Sequence, residues 1–183
     1  RVRARHCQAR AGGRLRLHHF LRWLAHDASV TLALPRTPQY AARAPAGLRI
    51  TCMRSATMDP SLVDDRPLPQ VTRRVQQHFG TDPAVSTWLN AYARPEFFDV
   101  VLLYGAVTGQ YIDAVRAPVV WDAVDELVLY TVRDAAWRGP RHWPRAARAG
   151  VLYAAFERHG ARRARATIFA SNTDASYARR WVG

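Results

Sequence analysis

Pro118-Val119-Val120-Trp121-Asp122-Ala123-Val124-Asp125 is the stretch whose reading decides the fold. A short apolar run, Val119 to Trp121, breaks off into acid, and a helical pattern follows at once. An apolar run this short, led in by proline and ended by carboxylates, fits a strand buried in a parallel sheet. Asp122 and Asp125 then stand at the carboxyl end of that strand, where open α/β sheets hold their ligands. Asp122 also has a plainer reading, in which its side chain accepts a free backbone N–H at the start of the next helix.

Working outward, Phe97 to Tyr104 is a second continuous apolar run and reads as a central strand buried on both faces. Tyr104-Gly105 ends it on the same side as the aspartates, and Gly105 would let a ligand or backbone come close. Ala166 to Ala170 is the last strand. Ser171 follows it with Asp174 three positions on, a variant of the capping box with Asp in place of Glu or Gln. Toward the amino end, Ser29–Leu34 and Leu48–Met53 read as strands, and the Arg49/Thr51 alternation in the latter suggests a position near an edge. Residues 1–10 have no clean period, so a first strand there cannot be read.

Helices fill the intervals. Asp82 is a natural N-cap with Pro83 at the first helical position, and Val85, Trp88, Leu89 and Tyr92 share a face. Others are expected around Val71–Phe79, Val107–Val115, after Asp125 and after Pro144, the last with Leu152, Ala155, Phe156 and His159 inward. His78 fits a boundary histidine. Strands alternating with helices predict an α/β fold, a parallel sheet with helices on both faces.

Gly12-Gly13-Arg14-Leu15-Arg16 precedes a helical face made by Leu17, Phe20, Leu21 and Leu24. Glycines that open a helix bare N–H groups at its positive end, which suits a phosphate, and Arg14 would add a bidentate donor with Arg16 close by. The competing reading is a flexible turn.

The 183 residues carry a formal charge of +13, with 49% hydrophobic residues, enough for a packed core. Every one of the 27 basic residues is Arg and none is Lys, a bias of the whole chain, so the charge is weak evidence for nucleic acid. The aromatics fall at core spacing and not in an exposed stacking row, which also speaks against a nucleic-acid partner. Cys7 and Cys52 are far apart and form no metal spacing, so a reducing, cytoplasmic setting without a metal is expected. The arginine-flanked helix over 145–165 is a candidate for peripheral contact with an anionic membrane at its inner face; a solvated outer face is the alternative. The chain starts at Arg1 and stops at Gly183 directly after an amphipathic segment, so both ends are expected to continue.

The order of these motifs resembles the start of family-4-type glycosyltransferases of the GT-B fold, with the flavour of exopolysaccharide-associated sugar transferases. The residues carrying the resemblance are Gly12-Gly13-Arg14-Leu15-Arg16 ahead of Val30-Thr31-Leu32, Phe98-Asp99-Val100-Val101 running into Tyr104-Gly105, Pro118 to Asp125 followed by Leu129-Tyr130 and Arg133, and Ile168-Phe169-Ala170-Ser171 with Asp174. It implies one Rossmann-like domain over residues 1–183, the acceptor-side half of a two-domain enzyme whose donor-binding half lies beyond Gly183. A nucleotide-diphosphate sugar would be co-substrate, with no further cofactor, and a glycan or lipid-linked hydroxyl the acceptor. Gly12, Gly13, Arg14 and Arg16 would approach the diphosphate, Tyr104, Gly105 and Ser171 would line the cleft, and Asp122 or Asp125 would orient the acceptor hydroxyl. The polar Arg1–Arg10, and Tyr104 and Val124 where the family often has His, depart from the pattern. Two other functions fit the same chain: a non-catalytic nucleotide-binding α/β domain and a basic nucleic-acid-binding module.

Overall fold

A computed structural model describes residues 9–35, 47–54, 56, 59–63 and 66–182, without the side chains of residues 9–15 and 60. The fold is α/β, with two small parallel sheets and helices around them. Its contacts divide the chain into two compact units, Arg1–Thr57 and Met58–Gly183.

In the first unit, α1 (Ala9–Asp27) is followed by two parallel strands, β1 (Thr31–Leu34) and β2 (Arg49–Cys52), paired from Thr31↔Arg49 to Leu34↔Cys52. The expectation that the glycine pair opens the helix is corrected: α1 begins at Ala9, so Gly12 and Gly13 lie within its span. Ala9, Arg10 and Ala11 are strong helix formers and carry the helix across two glycines that cost it about 1 kcal/mol each. The loop expected around Pro38 and Pro45 lies outside the described residues.

The second unit holds three parallel strands in the order β3 (Val101–Tyr104), β4 (Val119–Val124), β5 (Ala166–Phe169). The register aligns Tyr104, Asp122 and Ile168. The central strand is therefore β4, and β3 is an edge, contrary to the reading of Phe97–Tyr104 as central. The strand is also shorter than expected, because the N–H groups of Phe97 and Phe98 turn back to the Arg94 carbonyl at 3.0 and 2.9 Å. That turn closes α3 (Pro83–Tyr92) and leaves Phe97 and Val100 exposed.

Among the described residues five α-helices flank this sheet: α2 (Gln70–Phe79), α3, α4 (Leu127–Arg138), α5 (Trp143–Arg163) and α6 (Asn172–Val182). A 3-10 segment, Ala106–Ala114, takes the place of the helix expected near Val107–Val115. The caps follow the sequence. Asp82 accepts the Ala84 N–H at 3.2 Å with Pro83 at the first position. Ser171 Oγ accepts the Asp174 N–H at 3.1 Å and donates to Asp174 Oδ2 at 2.7 Å.

The core is organised by Trp121, 0 % exposed. Its indole lies against Phe156 (centroids 5.3 Å apart) and donates from Nε1 to the Gly105 carbonyl at 3.3 Å. Two glycines admit the ring: a Cβ at Gly109 would sit 2.6 Å from it, and one at Gly160 2.5 Å. The buried stripe of α5 is accordingly Tyr153, Phe156, Glu157 and Gly160, with Ala155 exposed, a rotation from the expected Leu152, Ala155, Phe156 and His159 face. Hydropathy cannot find that stripe, because its closest contact is made by a residue with no side chain.

Two glycines of α5 should respond in opposite ways to alanine. Gly160→Ala drives a methyl into a rigid ring and should destabilise the fold by about 3 kcal/mol. At Gly150 the new Cβ meets Val128 at 4.0 Å, so Gly150→Ala should stabilise by about 0.5–1 kcal/mol through helix propensity. Urea unfolding of both variants measures the contrast.

Candidate functional site

Of the residues singled out from the sequence, Tyr104, Gly105, Asp122, Asp125 and Ser171 stand together at the carboxyl ends of three adjacent parallel strands. Gly12, Gly13, Arg14 and Arg16 belong to the other unit.

The rim is built by backbone geometry. Gly105 has φ +98°, which L side chains rarely adopt, while a Cβ there would meet nothing within 4 Å, so the requirement is conformational and not steric. Its N–H donates to the Asp122 carbonyl at 2.7 Å, and its carbonyl accepts from Thr108 Oγ1 at 2.7 Å. On the central strand, Val124 has φ +65° and the β4–β5 register shifts between Asp122 and Val124. The Asp125 N–H closes onto the Ala123 carbonyl at 2.8 Å, forming a γ-turn around Val124. A β-branched residue at positive φ is strained, and such strain gathers at functional sites.

This turn separates the two aspartates. Asp122 is 3 % exposed and its Oδ1 accepts the Val124 N–H at 3.1 Å. It therefore holds the turn and does not cap α4, the role its plainer reading assigned. Asp125 is exposed, and among the described residues its carboxylate has no hydrogen-bond partner. Ser171 is engaged in capping α6.

The cap of α4 is Glu126, a residue sequence reasoning passed over, whose carboxylate accepts the Leu129 N–H. Beside it Glu157, projecting from α5, accepts the Leu127 N–H at 2.7 Å. Both glutamates are 1 % exposed, and among the described residues Glu126 Oε1, Glu157 Oε2 and Trp181 Nε1 are buried close together with no partner at full hydrogen-bonding geometry. Burial, then the neighbouring Glu126 carboxyl, pushes Glu157 up to about 9. At neutral pH Glu157 is thus a protonated acid beneath the rim. One signal could have found it: an acid at 157 between the core positions Phe156 and Gly160 of a helix.

A second polar cluster lies where the strands begin. Asp113 accepts from Thr72 Oγ1 at 2.5 Å and meets His159 Nε2 at 2.9 Å and Arg163 Nε at 3.5 Å. Burial pushes the Asp113 carboxyl up, but hydrogen bonds from His159 and Thr72 and the charges of His159 and Arg163 outweigh it and hold it below the usual carboxylate range. His159, expected as a core-face residue, is one arm of this cluster. His78 meets Tyr153 Oη at 2.8 Å. Among the described residues, no three His, Cys, Asp or Glu side chains gather as ligands for one metal ion, and no helix is long and apolar enough to cross a membrane.

Glu157 generates a pH prediction. The folded state holds its proton up to about pH 9, while an unfolded glutamate releases it near 4.5. The folded state binds more protons between those values, so this group's contribution to stability is full below about pH 4.5 and is lost as pH rises to about 9. Glu157→Gln keeps an acceptor for the Leu127 N–H and offers a permanent N–H toward Glu126. Urea midpoints measured from pH 5 to pH 9 should fall less steeply in this variant than in the parent, and parallel profiles would remove the buried acid. Compared with known proteins, the chain matches no family model, no curated protein and no solved structure.

Proposed function

We propose that this chain is the acceptor-side domain of a sugar-transferring enzyme, with the carboxyl rim of β3, β4 and β5 as its acceptor surface. The observation that carries the reading is Asp125: an exposed carboxylate without a hydrogen-bond partner among the described residues, on a γ-turn at the end of the central parallel strand. Parallel α/β sheets bind ligands outside the carboxyl ends of their strands. A sugar hydroxyl approaching the rim would find in Asp125 an acceptor able to orient it and draw on its proton.

The other rim residues divide into supports and lining. Asp122 fixes the turn that presents Asp125, Gly105 reverses the chain after β3, and Tyr104 ends β3 opposite Asp122. Glu157 and Glu126 anchor the first turn of α4 directly behind Asp125. The glycine pair lies inside α1 and contributes no helix-opening phosphate site to this proposal. A nucleotide-diphosphate sugar is the donor that the resemblance supplies, and the leaving diphosphate would be held by groups outside this rim.

Two measurements test the reading. Titration of the chain with oligosaccharides, followed by NMR, should perturb the amides of Tyr104, Gly105 and Asp125 and spare those of α2. In the complete polypeptide, Asp125→Asn should lower sugar transfer on the order of 100-fold, the scale of losing a group that acts in the transition state. Turnover equal to the parent, or perturbations confined to other surfaces, would discard the assignment.

A further inference from the structure

The arginine-flanked helix over 145–165 is exposed only in part, because Phe156, Glu157 and Gly160 in the second half of α5 are buried. The exposed part is the tip of a hairpin. α4 and α5 pack side by side, joined by the short 3-10 turn Pro140–His142. Every residue from 136 to 148 is exposed except Gly139 and Ala146. Trp137 is 87 % exposed and Trp143 45 %. Tyr130, also exposed, lies two helical turns before Trp137 on one face of α4, with Arg133 between them.

The place of this tip follows from the levels at which α5 is tied down. Arg163 meets Asp113 where the strands begin, Gly160 faces the Trp121 ring halfway along β4, and Glu157 receives the Leu127 N–H just past the rim. Continued back toward Trp143 at about 1.5 Å per residue, the same axis carries the tip on the order of 20 Å beyond the carboxyl ends of the strands.

Charge decides what covers it. From residue 127 to residue 152 the hairpin has five arginines and a single acid, Asp134. Asp134 is taken by Arg138 at 2.8 Å. Arg133, Arg141, Arg145 and Arg148 are in no ion pair or hydrogen bond among the described residues. A second copy of the chain would bring the same positive charge and be repelled. A nucleic acid would meet the arginines, but base stacking asks for rings set in a row along a groove. Here the indoles stand at the apex, and Arg133 on α4 and Arg148 on α5 lie one to two turns behind them. That is the depth order of a lipid surface, where indoles settle at the interface and guanidiniums at the phosphates.

We infer that the tip of the α4–α5 hairpin docks on an anionic lipid surface, with Trp137 and Trp143 in the interfacial layer and Arg133, Arg145 and Arg148 at the headgroup phosphates. Apolar insertion and charge act together, since either alone holds a protein to a bilayer only weakly. Docked in this way, the hairpin turns the carboxyl rim toward the surface. The docking does not depend on the sugar-transfer reading and stands if that reading fails.

Flotation of the 183-residue chain with vesicles tests it. Vesicles of phosphatidylglycerol and phosphatidylcholine in equal parts should carry the chain upward, and phosphatidylcholine alone should bind it at least about 10-fold more weakly. Trp137→Ala, at a position too exposed to disturb folding, should weaken binding about 10-fold. Arg145→Gln combined with Arg148→Gln should weaken it about 25-fold, roughly 5-fold for each charge. Arg73→Gln combined with Arg74→Gln removes the same charge from an exposed part of α2 and should cost less than about 3-fold, because charges beyond a Debye length from the surface are screened. Bromine on the acyl chains should quench the tryptophan emission of the parent, and quench it less when Trp137→Phe and Trp143→Phe are combined. Equal losses from the two arginine pairs, or quenching unchanged by the phenylalanine substitutions, would overturn the docking and leave only a generally cationic chain. Binding to single-stranded RNA that Trp137→Ala weakens, with vesicles unbound, would overturn it in favour of a nucleic-acid surface.

Discussion

The second unit depends on one contact: the indole of Trp121 lying against two bare backbone positions, Gly109 and Gly160. A parallel strand needs a cover, and the closeness of that cover is set by what fits between strand and helix. Here the bulk comes entirely from the strand, so the α5 backbone can approach the ring itself. The same indole reaches the Gly105 carbonyl with its N–H, tying the core to the loop that ends β3. One side chain thus sets the seat of α5, the path of the 3-10 segment and the turn at the rim. Phe156 completes the contact from the helix side.

With α5 seated in this way, Glu157 follows as a consequence. It is adjacent to Phe156 and one turn before Gly160, so packing that buries those two buries it also. A buried carboxylate without compensation is costly, and the fold answers in two ways. It gives Glu157 a backbone donor from α4, and it keeps the proton on the acid. The pair with Glu126 then joins α4 to α5 at the point where α4 leaves the rim. The strained γ-turn at Val124 is held between this buried pair and Asp122, which explains how a β-branched residue is kept at positive φ.

Much of this was legible in the residues. The apolar run ending in Asp122 and Asp125 marked a buried parallel strand, but the central place was given to its neighbour Phe97–Tyr104, which is longer. Pro95 and the turn onto Arg94 shortened that neighbour, and composition does not reveal where a turn captures N–H groups. Caps at Asp82 and Ser171 were readable because they are local, made within three residues. Glu157 and the Asp113 cluster were not, because Leu127, Thr72 and His159 lie 30 to 46 positions from the acids they meet. Glu126 is a local cap that was passed over because Asp122 and Asp125 stand just ahead of it. The glycine pair misled for the reverse reason: glycine marks a helix start only when its neighbours do not favour helix, and here they do. The α/β class was secure throughout, because it rests on the alternation of elements and not on any one boundary.

The distribution of charge around the second unit has a structural cause, and its exception is informative. Helices that begin at the rim are matched there by acid, with Glu126 capping α4 and Asp174 in the first turn of α6. Base stands in the last turn of α4, as Arg138, and of α5, as Arg162 and Arg163. This is the pairing that helix dipoles favour, so acid at the rim is not by itself a sign of chemistry. Asp125 is distinguished by being exposed and, among the described residues, committed to no N–H. The amino ends of α2 and α5 lie outside this pattern, since neither has an acid in its first turn or a side-chain cap, and packing rather than the dipole holds them.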